Sequence, residues 1–207
     1  MKIDFRLYCI SGGSAGKKPL EETILRAAKA GVKAFQIREK TISDAELRAL
    51  ATDIISLVKP FNISLFINSR EKVAEELGVH VHLPEQDIYK IEAIRRARGG
   101  NVLIGASAHS LATARAAQGA GVDLILFGPV FETESKKQFG PPQGVDALKK
   151  ICSTVTIPVF AIGGITPENA GECLAAGAHG VACISAVMNA DDPKAAVQQF
   201  AANMPLL

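Results

Sequence analysis

The sequence predicts an α/β fold, a single domain over residues 1–207 arranged as a (β/α)8 barrel. Short runs rich in β-branched residues alternate with longer stretches of helical periodicity, which is the pattern of βα units. The strand-like runs are almost continuously apolar, as parallel strands covered on both faces are. The chain has 207 residues, just above the roughly 200 that eight such units need. Closure would remove both sheet edges, but periodicity alone leaves a doubly wound open sheet as the alternative.

The units follow in order. Phe5 to Ser11 is the first expected strand, and a helix over about Leu20 to Ala30 puts Ile24, Leu25 and Ala28 on one face and stops at Gly31, a left-handed C-cap. Lys33 to Glu39 is the second strand. Ser43-Asp44-Ala45-Glu46 has the form of a capping box, so the second helix starts there and stops near Pro60. Ser64 to Asn68, a helix over Glu71 to Leu77, Val79 to Leu83 and a helix over about Ile88 to Arg98 make the next two units. Val102 to Ser107, a helix over Leu111 to Gln118, and Asp123 to Phe127 with its Gly128-Pro129 exit come next. A polar loop spans Glu132 to Gln143, and Val145 to Cys152 is helical. Pro158 to Ile162 is the seventh strand, and Thr166-Pro167 opens a helix with proline at its first position. Gly180 to Ile184 and a helix over about Pro193 to Asn203 close the series.

Composition restricts the function. Apolar residues make up 48% and charged residues 21%, enough to bury a core and too apolar for disorder. A net charge of +2 gives no global attraction for nucleic acid. No apolar run approaches the roughly 18 residues of a membrane span and no signal core follows Met1, so a cytoplasmic protein is expected. Cys9, Cys152, Cys173 and Cys183 lack metal or redox spacing and are expected to be reduced and mostly buried.

In such a barrel the chemistry lies after each strand's carboxyl end. Alternation puts Gln36, Arg38 and Lys40 on one side of the second strand and its exit, facing either the mouth or solvent. Further exits offer Asn68, Ser69 and Arg70, then Asp87, Ser107, and Thr133, Ser135, Lys136 and Lys137, although the two lysines also fit a solvated loop. Cations with hydroxyl and amide donors suit an anion of several oxygens such as pyrophosphate, and one carboxylate among them suits Mg²⁺. Gly163 and Gly164 after the seventh strand, with Ser185 after the eighth, sit where these barrels bind a phosphomonoester. His80 and His82 share a strand face without a third ligand and suit core roles, while His109 is a candidate acid or base. No Walker loop, nucleophile elbow or Rossmann glycine pattern occurs.

Together these residues resemble the thiamine phosphate synthase and TenI superfamily, over essentially the whole chain. The resemblance is carried by Gln36-Ile37-Arg38-Glu39-Lys40, Ile67-Asn68-Ser69-Arg70, His82-Leu83 with Asp87, and Gly105 to Ser110. It continues through Gly128-Pro129-Val130-Phe131 with Thr133-Glu134-Ser135-Lys136, Ala161-Ile162-Gly163-Gly164-Ile165, and Ile184-Ser185-Ala186. It implies a TIM barrel that joins hydroxymethylpyrimidine diphosphate to hydroxyethylthiazole phosphate with release of pyrophosphate. By motif position Arg38, Lys40, Asn68, Ser107 and Lys136 would contact pyrophosphate, with Gln36 nearby, and Asp87 would help hold Mg²⁺. Thr133 and Ser135 would lie on the thiazole side, with Gly164, Ile184 and Ser185 on its phosphate. A homodimer is also implied.

Two departures bear on the activity. Ser69 stands where the synthases carry a metal-binding aspartate, and Pro84-Glu85-Gln86 replaces their usual Gly-Gln-Glu, with Glu85 a substitute carboxylate to consider. The TenI-type thiazole tautomerases would tolerate Ser69, but a characterised pattern has histidine where this chain has Pro129. Synthase chemistry is the leading expectation, ahead of a tautomerase and a non-catalytic thiazole phosphate-binding paralogue.

Overall fold

A computed structural model describes residues 3–12, 19–133 and 141–204. Eight parallel strands close into a barrel in sequence order. They are β1 (Leu7–Ile10), β2 (Ala34–Ile37), β3 (Ser64–Asn68), β4 (His80–Leu83), β5 (Ile104–Ala108), β6 (Leu124–Phe127), β7 (Val159–Ile162) and β8 (Gly180–Cys183). The last strand pairs with the first, Cys9 opposite Cys183, which rules out the open sheet. Their Sγ atoms lie 4.0 Å apart, and both side chains are buried as unoxidised thiols.

Outside the strands lie α1 (Leu20–Lys29), α2 (Asp44–Val58), α3 (Glu71–Glu76), α4 (Ile91–Arg98), α5 (Leu111–Gly119), α6 (Gly144–Cys152), α7 (Pro167–Ala175), α8 (Ser185–Met188) and α9 (Pro193–Asn203). Locally coded boundaries fall as the sequence predicts. Ser43 and Glu46 form the reciprocal capping box on α2, Gly31 follows α1 at φ 108°, and Pro167 occupies the first turn of α7. Apart from β3, which runs over Ser64–Asn68 as expected, the strands are shorter than the apolar runs suggest, because their terminal residues already turn into the loops. The expected fourth helix starts three residues late, after a 3-10 segment over Glu85–Lys90 in which the Asp87 N–H closes a tight turn on the Pro84 carbonyl at 2.9 Å. The short α8, four residues long, is an addition too brief to show periodicity.

Strand alternation divides the core in two. Leu7, Phe35, Ile37, Val81, Ile104, Ile125 and Val159 face the helices and belong to the outer layer. Tyr8, Ile10, Ala34, Phe66, Leu124, Leu126, Phe160 and Ala182 face the barrel axis, joined from below by Ile3 and Phe5. Four rings fill the axis, with Tyr8 5.1 Å from Phe66 and Phe5 5.3 Å from Phe160 between centroids. Each such buried ring is worth roughly 1.5–3 kcal/mol relative to exposure. The barrel is therefore a packed core, and only the layer above the rings, at the strands' carboxyl ends, is free to be polar.

Candidate active site

That polar layer consists of Gln36, Asn68, His82 and Ser107. All four continue the inward-facing series: Ile10 pairs with Gln36, Asn68 with His82, and His82 with Gly105, two residues before Ser107. Gln36 is buried, and its Nε2 donates to the Tyr8 hydroxyl at 3.1 Å, so the solvent-facing alternative does not hold for Gln36. His82 is buried with its Nε2 3.0 Å from Ser107 Oγ. A Cβ on Gly105 would come within 2.5 Å of His82 Nδ1, so the small residue makes room for the imidazole. Burial, and then the positive charge of Arg38, lower the His82 pKa to about 3 and keep the ring neutral. His80, one layer below, packs on Phe66 and accepts from the Leu103 N–H at 3.2 Å, the core role its position suggests.

The exits of β1 and β2 are tied in a way sequence reading missed. Ser11 is buried; its hydroxyl donates to Glu39 Oε1 at 2.6 Å and accepts from the Arg38 N–H at 2.8 Å. Lys40 follows at an exposed position. At the β3 exit, Asn68 Nδ2 donates to Ser69 Oγ at 2.8 Å, and Ser69 adopts φ 65°, an uncommon conformation for a non-glycine residue. Arg70 turns away to the Ile42 carbonyl and to Asp44, bracing the start of α2.

After β4, Asp87 is partly buried beside Lys90, which also reaches Glu71. Burial opposes the Lys90 charge, but the Glu71 hydrogen bond and the charges of Glu71, Asp87 and Tyr89 outweigh it and raise the pKa. Glu85 is committed elsewhere: its carboxylate accepts the His109 N–H at 3.0 Å, so its contact is with the β5 loop rather than with Asp87. The His109 ring is about half exposed, and its Nδ1 is hydrogen-bonded to the Gly128 carbonyl. Among the described residues no three His, Cys, Asp or Glu side chains group as a metal cage.

On the opposite side, the exits of β6 and β7 are laced together by Val130 N–H to Ile162 O and Phe131 N–H to Gly163 O. Gly163 and Gly164 have φ values of 97° and 65°, and a Cβ on Gly164 would lie 2.4 Å from the Glu132 carbonyl oxygen. Only glycine fits there without strain. The Gly164 carbonyl accepts from Asn169 Nδ2 at 2.9 Å, fixing this loop to the start of α7. Ile184 and Ser185 lie at the β8 exit, where α8 begins. Thr133 is partly buried at the edge of the same side, whereas Ser135 and Lys136 lie outside the described residues.

Fold and site together define a (β/α)8 barrel enzyme, with its polar residues gathered at the carboxyl ends of the strands. Residues 7–187 match the family model for thiamine monophosphate synthase. The chain is 40% identical over 206 residues to a Geobacter sulfurreducens protein provisionally named a thiamine-phosphate synthase, covering 99% of this chain and 96% of that one. It is 36% identical to the thiamine-phosphate synthase of Clostridium novyi, covering 97% of this chain and 99% of that protein. The solved thiamine phosphate pyrophosphorylase of Pyrococcus furiosus superposes with a TM-score of 0.84 at 33% identity, over 96% of this chain and 94% of the other. The chain belongs to the thiamine monophosphate synthase family.

Proposed function

We propose that this enzyme joins hydroxymethylpyrimidine diphosphate to hydroxyethylthiazole phosphate, forming thiamine phosphate and pyrophosphate. The observation that carries this reading is the two-sided mouth: the polar layer of Gln36, Asn68, His82 and Ser107 on the β2–β5 side, beside the strand exit that carries Arg38, and the left-handed Gly163-Gly164 turn on the β7–β8 side. The first side suits a diphosphate and the second a phosphomonoester, held by backbone N–H groups of Gly164, Ile184 and Ser185.

The C–O bond between the pyrimidine methylene and the diphosphate breaks, its electron pair leaving with pyrophosphate. The resulting carbocation is captured by the thiazole nitrogen. No protein nucleophile is needed, so the chain's work is to stabilise the departing anion and keep the two rings in line. Arg38, Lys40, Asn68, Ser107 and Lys136 carry the first task, with Gln36 shaping the floor. Thr133, Ser135 and His109 border the thiazole. Asp87 would hold Mg²⁺, which is commonly bound through one or two carboxylates with substrate phosphates completing the shell. A partly buried carboxylate beside the diphosphate side fits that pattern. When bound, the ion neutralises charge on the leaving diphosphate. A cytoplasmic location and a homodimer belong to the same reading. No helix among the described residues is long and apolar enough to cross a membrane.

A steady-state assay with both phosphorylated substrates and Mg²⁺ tests the reaction, with thiamine phosphate and pyrophosphate expected in equal amounts. Lys136→Ala is expected to lower kcat at least ~100-fold while changing thiazole phosphate affinity by less than ~3-fold. Equal losses would remove Lys136 from leaving-group stabilisation. Thiazole phosphate binding without coupling would favour a TenI-type tautomerase or a non-catalytic binding paralogue instead.

A further inference from the structure

Asp87 is not isolated at the mouth. Its Oδ2 lies 3.5 Å from Lys90 Nζ, and the same ammonium lies 3.3 Å from Glu71 Oε1. The three groups come from two loops: Glu71 opens α3 after β3, whereas Asp87 and Lys90 lie on the 3-10 segment after β4. All are partly buried, with side-chain exposures of 32% for Glu71, 20% for Asp87 and 29% for Lys90. One protein cation therefore bridges two carboxylates at the place assigned to a divalent ion. Two residues before Glu71 stands Ser69, a neutral hydroxyl that contributes no charge to this group.

We propose that Lys90 is a cation tethered by Glu71 that competes with the divalent metal for Asp87, and so sets how tightly this chain binds metal. This rests on the reading of Asp87 as the metal-binding carboxylate. A dication at Asp87 would sit close to the ammonium, which lies 3.5 Å from Oδ2, and like charges at such distances repel. The metal must break the Asp87–Lys90 pair, leaving the ammonium with Glu71. In the metal-free protein the pair keeps two loop carboxylates from repelling each other and the incoming diphosphate. Lysine suits this role, since a compact charge on a flexible stem can withdraw from one partner while keeping another.

The test is Mn²⁺ binding followed by electron paramagnetic resonance, with and without inorganic pyrophosphate, on the wild type, Lys90→Gln, Lys90→Met, Lys90→Arg and Asp87→Asn. Lys90→Gln and Lys90→Met are each expected to bind Mn²⁺ about tenfold more tightly, because neither the Asp87–Lys90 pair nor the ammonium's repulsion of the dication then opposes the metal. Lys90→Arg, which keeps the charge, is expected to stay near the wild type, and Asp87→Asn to weaken binding. Unchanged or weaker Mn²⁺ affinity in both neutral variants, with binding still sensitive to Asp87→Asn, would overturn the competition while leaving Asp87 as a ligand. Mn²⁺ binding indifferent to Asp87→Asn, or no binding in any variant, would overturn both readings.

Discussion

His82 shows what one buried polar side chain does for a site of this kind. It is 1% exposed, sits between the aromatic floor and the mouth, and is held neutral by burial and by Arg38, with a pKa of about 3 against an ordinary 6.5. A folded pKa below the unfolded one means that, as pH falls below about 6.5, the unfolded chain takes up a proton that the folded chain refuses. Stability conferred by the neutral ring is complete above that range and is lost progressively toward pH 3. Urea unfolding of the wild type and of His82→Gln at about pH 6 and about pH 5 should reveal this: the wild type is expected to lose about 1 kcal/mol more than the variant over that interval. Equal losses would mean that the folded ring protonates normally. Much at this scale was legible in the sequence. Gln36 and Arg38 are legible from alternation, Asn68 and Ser107 from their places at strand exits, and Gly164 from glycine punctuation, all of them local signals; Gln36, Asn68 and Ser107 line one side of the mouth and Gly164 turns on the other. Ser11, Glu39, Glu71 and Lys90 were missed because each acquires its meaning only from a partner on another strand or loop.

Elements of this barrel are joined at their exits by side chains as well as by the ladder. The Ser11 N–H donates to the Gln36 carbonyl at 2.9 Å, extending the β1–β2 pairing, while its hydroxyl couples Glu39 to the Arg38 backbone. Ser11→Ala breaks two partly buried hydrogen bonds and leaves the Arg38 N–H without that acceptor, a cost of roughly 1–3 kcal/mol in unfolding free energy. Because the lost contacts orient the strand exit that carries Arg38, calorimetry should also find weaker pyrophosphate binding. Undiminished pyrophosphate affinity would show that Arg38 is oriented without Ser11. Helix boundaries were the most legible feature at this scale, since the Ser43–Glu46 box, Gly31 and Pro167 act within one turn. Over Glu85–Lys90 the sequence predicts loop followed by helix where the structure has a 3-10 segment, because periodicity distinguishes these poorly across six residues.

At the scale of the molecule, closure was the step periodicity could not supply. A run of eight βα units becomes a barrel only if the last strand meets the first, and the Cys9–Cys183 pair that makes this contact is separated by 174 positions. The seam carries its own constraint. A Cβ on Gly180, the first residue of β8, would lie 2.2 Å from the Arg6 carbonyl oxygen, and that backbone cannot swing aside as a flexible side chain would. The Val181 N–H donates to the same oxygen at 2.8 Å, so relieving the clash loosens a ladder bond at the start of the seam. Gly180→Ala is expected to cost about 3 kcal/mol, at the upper end for overpacking, because displacement is transmitted to both β1 and β8. Gly100→Ala is the matched control: nothing lies within 4 Å of a Cβ there, and its expected effect is within about 0.5 kcal/mol. Urea unfolding of the two variants separates the alternatives. A large loss at Gly180 alone shows that the seam is held closed in the folded state, whereas similar small losses at both positions would show that β1 and β8 can part there without unfolding the rest.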